Sequence, residues 1–176
     1  LWTVPNTFVA SSNCALYCNA RVDFVDIDPL SNNISVTELH KKLKNAKIKK
    51  KLPKILVVVH FGGNPCDLIK IKNLSKKYKF KIIEDASHAL GAEYRNEKIG
   101  NCKYSDISVF SFHPVKSITT AEGGSALTNS QKLFDKMAML RTHGITKDKK
   151  KFKDKRKNEP WYFEQQLLGF NYRMNE

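Results

Sequence analysis

The 176-residue chain carries 31 Lys and Arg against 17 Asp and Glu, a formal charge of +14, with 41% hydrophobic residues. Two runs hold the whole excess: residues 41–54 have eight lysines and no acid, and residues 147–157 have eight basic residues and two acids, which leaves fifteen of each sign elsewhere. A balanced body with 26 lysines to 5 arginines excludes a general nucleic-acid-reading surface, which would lean on arginine's bidentate fork, and the apolar content excludes disorder throughout.

No apolar run reaches the ~18 residues of a membrane span, and the first residues lack the basic and apolar stretches of a signal peptide. The four cysteines, Cys14, Cys18, Cys66 and Cys102, form no CxxC pair, so reduced thiols in the cytoplasm and no metal site are expected. The chain begins at Leu1 and ends just beyond a dense Gly169-Phe170-Asn171-Tyr172-Arg173 cluster, which reads as an internal part of a longer protein.

In chain order, residues 1–4 read as a short strand ended by Pro5, and the Ala/Ser/Asn-rich residues 7–18 as a helix. Residues 21–27 alternate and predict a strand. Ser35 with Glu38 three residues on has capping-box spacing, so a helix starts there, and its Lys41, Lys42, Lys44 and Lys47 form a solvated face. The apolar run 55–61 predicts a strand covered on both faces. Residues 62–65 (Gly-Gly-Asn-Pro) make a turn, and Asp67 can cap a helix carrying Leu68, Ile71, Leu74 and Tyr78 at helical spacing. Residues 80–83 form another buried strand, 91–100 a hairpin around Arg95-Asn96-Glu97, 107–112 a strand, 125–127 a short strand and 131–143 a helix. This alternation predicts an α/β fold with a mostly parallel central sheet and helices on both faces.

Ligands of such sheets bind at the carboxyl ends of strands. Three of these ends are polar: Glu84-Asp85-Ala86-Ser87-His88, Ser111-Phe112-His113-Pro114-Val115-Lys116 and His60-Phe61-Gly62-Gly63. If the strands are neighbours, Asp85, His88, Ser111 and Lys116 share one crevice. Taken singly, each residue also has an ordinary reading: Asp85 as a turn or cap residue, Ser111 as a satisfied core hydroxyl, His88 as a structural hydrogen-bonding residue, and Lys116 as an exposed lysine. A lysine beside a crevice can also act as an amine nucleophile or base.

These strings, with Ala121-Glu122-Gly123-Gly124, Leu140-Arg141-Thr142-His143-Gly144, Gly169 to Met174, Pro5 to Ala10 and Val22 to Ile27 in the same order, resemble the DegT/StrS family of pyridoxal-phosphate-dependent sugar aminotransferases. The wording around Lys116 is most similar to the branch that makes the 4-amino-sugar precursor of pseudaminic acid. The resemblance implies a large domain of the fold-type I transferases. It implies that residues 1–176 form part of that domain, with the family's N-terminal segment and C-terminal small domain expected outside the chain. It implies that Lys116 forms the Schiff base with pyridoxal 5'-phosphate, that Asp85 pairs with the pyridine nitrogen, and that His88 bonds near the phenolic oxygen. By the same resemblance Phe8 stacks on the ring, Ser111 binds the phosphate, and Asn171 reaches the phosphate held in the neighbouring subunit of a homodimer. A related branch replaces the lysine by histidine and dehydrates, whereas this sequence keeps Lys116.

The expected activity is amino transfer from L-glutamate to a nucleotide-linked keto-sugar, a UDP-4-keto-6-deoxy-N-acetylhexosamine, in surface-glycan synthesis. Another 3-keto or 4-keto nucleotide sugar is the alternative. A basic nucleic-acid module and a catalytically silent dimerising scaffold are the competing classes: residues 41–54 contain no aromatic and 147–157 only Phe152, against the interleaving that a nucleic-acid module would need. Residues 147–157 read as a mobile or substrate-edge loop. No role is assigned to Arg141, His143 or Arg173. The isolated segment is expected to bind the cofactor weakly or not at all and to be inactive.

Overall fold

The computed structural model describes residues 1–154 and 159–174. The chain divides into two compact units, Leu1–Asn129 and Ser130–Glu176.

The first unit is built on a six-stranded sheet in the order β2-β1-β3-β4-β7-β8. Its strands are β1 (Trp2–Thr3), β2 (Asp23–Phe24), β3 (Ile55–Val59), β4 (Lys81–Asp85), β7 (Ile107–Ser111) and β8 (Gly124–Leu127). All pairings are parallel except β7 with β8. The centre, β3 and β4, falls where residues 55–61 and 80–83 read as strands of a covered sheet: Leu56, Val58 and Ile82 are fully buried, and β4 runs on through Glu84 to Asp85. The helices are α1 (Ala10–Leu16), α2 (Val36–Ile48) and α3 (Leu68–Tyr78).

Both sequence-read caps form. Ser35 Oγ accepts the Glu38 N–H at 3.3 Å, and Asp67 Oδ1 accepts the Lys70 N–H at 3.3 Å. Leu68, Ile71, Leu74 and Tyr78 are all buried, as their spacing requires. The hairpin turns on two residues, Arg95 and Asn96, both at positive φ, and Glu97 already belongs to a strand: β5 is Glu93–Tyr94 and β6 is Glu97–Lys98.

Several expected elements are shorter, and local hydrogen bonds explain the largest difference. Residues 21–27 pair with β1 only over Asp23–Phe24, and Ile27 makes an isolated antiparallel bridge with Ile34. Beyond that point Asp26 Oδ1 accepts the Ile27 N–H, and Asp28 Oδ1 accepts those of Leu30 and Ser31. Acidic side chains there take the backbone donors that a longer ladder would need. The expected strand 55–61 ends at Val59, and Phe61 opens a short 3-10 turn with Gly62 at φ 58°.

The solvated lysine face on α2 also needs correction. Lys41, Lys44 and Lys47 are exposed, but Lys42 turns back over the sheet. Its Nζ lies 2.6 Å from Asp23 Oδ1 and 4.9 Å from the centre of the Trp2 ring, and it bonds the Phe24 carbonyl.

In the second unit, Ser130 caps α4 (Gln131–Arg141). The strands β9 (Ile145–Thr146) and β10 (Glu164–Gln165) pair antiparallel, and Thr142 and Asn171 form an isolated bridge. The described part of the second lysine run is anchored rather than free. Phe152 is 2% exposed with its ring 5.1 Å from that of Tyr162, and Glu164 accepts the Lys153 and Asp154 N–H groups at 2.7 and 3.1 Å. Residues 155–157 of that run lie outside the described residues.

Candidate active site

The three polar strand ends read from the sequence belong to adjacent strands, β3, β4 and β7. Val59 pairs with Asp85, and Asp85 with Val109. Register partners in a parallel sheet project from the same face, and successive residues alternate. Asp85, Val109 and Ser111 therefore share one face at the strand ends.

The Asp85 carboxylate is half-buried and has three donors. Ser11 Oγ of α1 donates to Oδ2 at 2.5 Å. Ser87 donates to Oδ1 twice, from its hydroxyl at 2.7 Å and its backbone N–H at 3.2 Å. A carboxylate offers about four lone-pair positions, so this arrangement fixes its direction and leaves room for one further donor. Beside it Val109 is 37% exposed, an apolar floor that suits a flat ring.

Three residues beyond Asp85, His88 Nε2 lies 2.7 Å from the Nζ of Lys116. That contact needs a lone pair on one of the two nitrogens. Lys116 is half-buried and its backbone N–H bonds the His113 carbonyl at 2.9 Å, in a turn that follows β7. The turn 85–88 thus holds both the carboxylate and the partner of the lysine amine. Ser111 ends β7; its Oγ accepts the His113 N–H at 3.4 Å, which uses a lone pair and leaves the hydroxyl proton available to an anion.

Phe8 stands in the turn entering α1, its carbonyl accepting the Ser11 N–H at 3.2 Å and its ring 77% exposed. Asn171 belongs to the second unit, where Arg173 Nε donates to its Oδ1 at 2.9 Å. Asp85, His88, Ser111 and Lys116 are thus gathered at the ends of β4 and β7.

Ser11 and Ser87 were not among the sequence candidates. Ser87 had a signal, because an Asp followed two residues later by Ser is the pattern of a side chain bonding its own turn. Ser11 had none, being one serine in a Ser-rich helix 74 positions away. Among the described residues no group of three His, Cys, Asp or Glu side chains is placed to hold a metal ion, and no helix is long and apolar enough to cross a membrane.

The carboxylate with one position open, the apolar floor, the hydroxyl and the half-buried amine fit the parts of pyridoxal phosphate: a ring nitrogen, a ring face, a phosphate and an aldehyde. Comparison with known proteins points the same way. A Campylobacter jejuni UDP-4-amino-4,6-dideoxy-N-acetyl-beta-L-altrosamine transaminase is 43% identical over 176 residues, covering 99% of this chain and 42% of the relative. A GDP-perosamine synthase of Escherichia coli O157:H7 is 33% identical over 168 residues, 96% of this chain and 41% of the relative. Among solved structures, Helicobacter pylori PseC, an aminotransferase involved in the biosynthesis of pseudoaminic acid, superposes with a TM-score of 0.83 at 34% identity, covering 98% of this chain and 42% of that one. The chain spans about two fifths of the length of the curated relatives that it matches. Residues 2–176 match the model of the DegT/DnrJ/EryC1/StrS aminotransferase family, a pyridoxal-phosphate-dependent family, and the chain belongs to it.

Proposed function

We propose that the protein carrying this chain transfers an amino group from L-glutamate to the keto group of a UDP-linked 4-keto-6-deoxy-N-acetylhexosamine, as a cytoplasmic homodimer. One observation carries the chemistry: the turn 85–88 presents an oriented carboxylate at one end and, at the other, a histidine bonded to the amine of Lys116. The substrate class rests on the transaminase relatives. The compartment rests on four free thiols, which a reducing cytoplasm maintains.

In this reading both units belong to the cofactor-binding large domain. Lys116 Nζ is the covalent attachment point and then carries a proton to and from the substrate carbon. Asp85 accepts from the ring nitrogen and holds it protonated; Ser111 donates to the phosphate; Phe8 covers the ring; His88 orients the lysine amine; Asn171 serves the neighbouring subunit's phosphate. When bound, pyridoxal phosphate supplies the electron sink that makes proton loss from the amine-bearing carbon accessible.

The test uses a family-length protein carrying this segment. With glutamate it is offered UDP- and GDP-linked 4-keto and 3-keto sugars, and products are read by mass. Aminated UDP-sugar from the parent and none from Lys116→Ala, with the visible cofactor band lost as well, is the expected result. Amination of the GDP-sugar alone would move the substrate to the perosamine-synthase relatives' side, and turnover that survives Lys116→Ala would refute the mechanism.

A further inference from the structure

Strand β4 ends in two adjacent acids, and the site above uses only Asp85. Glu84 projects from the opposite face, where it is 2% exposed beside a His60 that is 1% exposed. Glu84 Oε2 and His60 Nε2 are 2.9 Å apart. A buried acid is costly, and apolar residues of similar volume usually serve stability as well or better. Stability alone is therefore a weak account of this pair.

The hydrogen bonds of His60 show what the pair controls. The Cys66 N–H donates to His60 Nδ1 at 3.1 Å, so that nitrogen carries a lone pair. The neutral ring then has its proton on Nε2, which donates to Glu84. The backbone N–H of the same His60 donates to the Asp85 carbonyl at 3.1 Å. One residue thus grips two consecutive positions of β4, Glu84 by its side chain and Asp85 by its backbone. From there the loop reaches the far end of the site turn. The His60 carbonyl accepts the Gly63 N–H at 3.0 Å, and Gly63, at φ +85°, lies so close to the His88 carbonyl that a Cβ would stand 2.6 Å from it. The loop after β3 therefore supports the turn 85–88 at both ends.

We propose that Glu84 and His60 form a buried positioning pair that sets the Asp85 carboxylate in register for the cofactor's ring nitrogen from behind the sheet. The proposal rests on the reading of Asp85 given above. The Glu84 bond fixes the imidazole, and its Nδ1 in turn holds the Cys66 N–H, which ties to β4 the loop that bonds the Asp85 carbonyl and packs Gly63 against the His88 carbonyl. An apolar pair would fill the same space without fixing either.

Two substitutions at one position separate orientation from packing. In His60→Gln the amide nitrogen falls where Nε2 was and can still donate to Glu84. In His60→Asn the amide falls near the place of Nδ1 and cannot reach Glu84. Each is made in the family-length protein, and the apo-protein is titrated with pyridoxal phosphate, with the visible band followed against pH and thermal unfolding measured in parallel. The expected result is cofactor affinity within about threefold of the parent for His60→Gln, and about tenfold or more weaker for His60→Asn with a displaced pH profile. Glu84→Gln, which keeps an acceptor oxygen, follows His60→Gln. Should His60→Asn not fold, Glu84→Met, which fills the space without an acceptor, takes its place. Equal weakening in His60→Gln and His60→Asn, or a lowered melting temperature with affinity and pH profile unchanged, overturns the proposal. A parent that gains no visible band with pyridoxal phosphate overturns the reading of Asp85 instead.

Discussion

Asp85 has three donors around it and lone-pair room for a fourth. Asp85, His88, Ser111 and Lys116 were legible because they follow apolar runs at strand ends, where side chains meet ligands. Ser11 was not, since a contact spanning 74 positions leaves no trace in local pattern. It is nevertheless a short bond to the carboxylate, 2.5 Å, and hydrogen bonds to charged groups are worth about 1.5–3 kcal/mol. Ser11→Ala in the family-length protein is expected to weaken pyridoxal phosphate binding about tenfold, measured by titrating the apo-protein. An unchanged affinity would mean that Ser87 alone orients Asp85. His60 was read only as part of a polar strand end, and Glu84 only as the neighbour of Asp85. Their pairing follows from the parallel β3–β4 register, which no short window contains.

At the scale of elements, the caps at Ser35 and Asp67 and the buried stripe of α3 were readable because their chemistry lies within three or four residues. Strand ends were less readable, because pairing depends on a partner elsewhere. Asp106 illustrates this. It stands just before β7, its Oδ2 accepting the Ile82 N–H at 2.9 Å and its Oδ1 paired with Lys81 Nζ at 2.8 Å, while its own N–H donates to the Ile82 carbonyl at 2.9 Å. One side chain thus starts the β4–β7 pairing. Burial works to raise its proton affinity, but the Lys81 ammonium and the Ile82 N–H outweigh it and hold the carboxyl below its usual range. A depressed carboxyl contributes stability above the unfolded-state value of about 3.9 and loses it as pH falls through the lower folded value. Asp106→Asn is expected to cost about 1 kcal/mol at pH 7, and its urea midpoint should converge on the parent's as the pH drops below about 4. A gap that stays constant across that range would show that the charge contributes nothing.

For the molecule as a whole, the +14 stays in the two lysine runs: in the first, Lys42 pairs within the sheet unit while Lys41, Lys44 and Lys47 are exposed, and the described part of the second belongs to an anchored segment around Phe152. Family and fold were legible because ordered strings run the length of the chain. The chain covers 42% of the length of the Campylobacter jejuni relative. For that reason the isolated 176-residue chain is expected to bind pyridoxal phosphate weakly. Adding the cofactor to the purified chain should give no visible band that borohydride fixes in place. A band fixed in the parent and missing in Lys116→Ala would show that this segment is a sufficient cofactor site.

The reach of Lys42 has a consequence for how the sheet ends. In a parallel pair a residue's N–H and C=O point to the same side, so Asp23 and Val25, which bond back to β1 through Leu1 and Thr3, leave both backbone groups of Phe24 facing outward. Neither is open to another chain. Asp23 Oδ1 accepts the Phe24 N–H at 2.8 Å, and Lys42 Nζ takes the Phe24 carbonyl while pairing with Asp23. The β2 edge of the sheet is thus closed by its own acid and one lysine, which denies a strand arriving there both of the hydrogen bonds from which edge-to-edge aggregation would start.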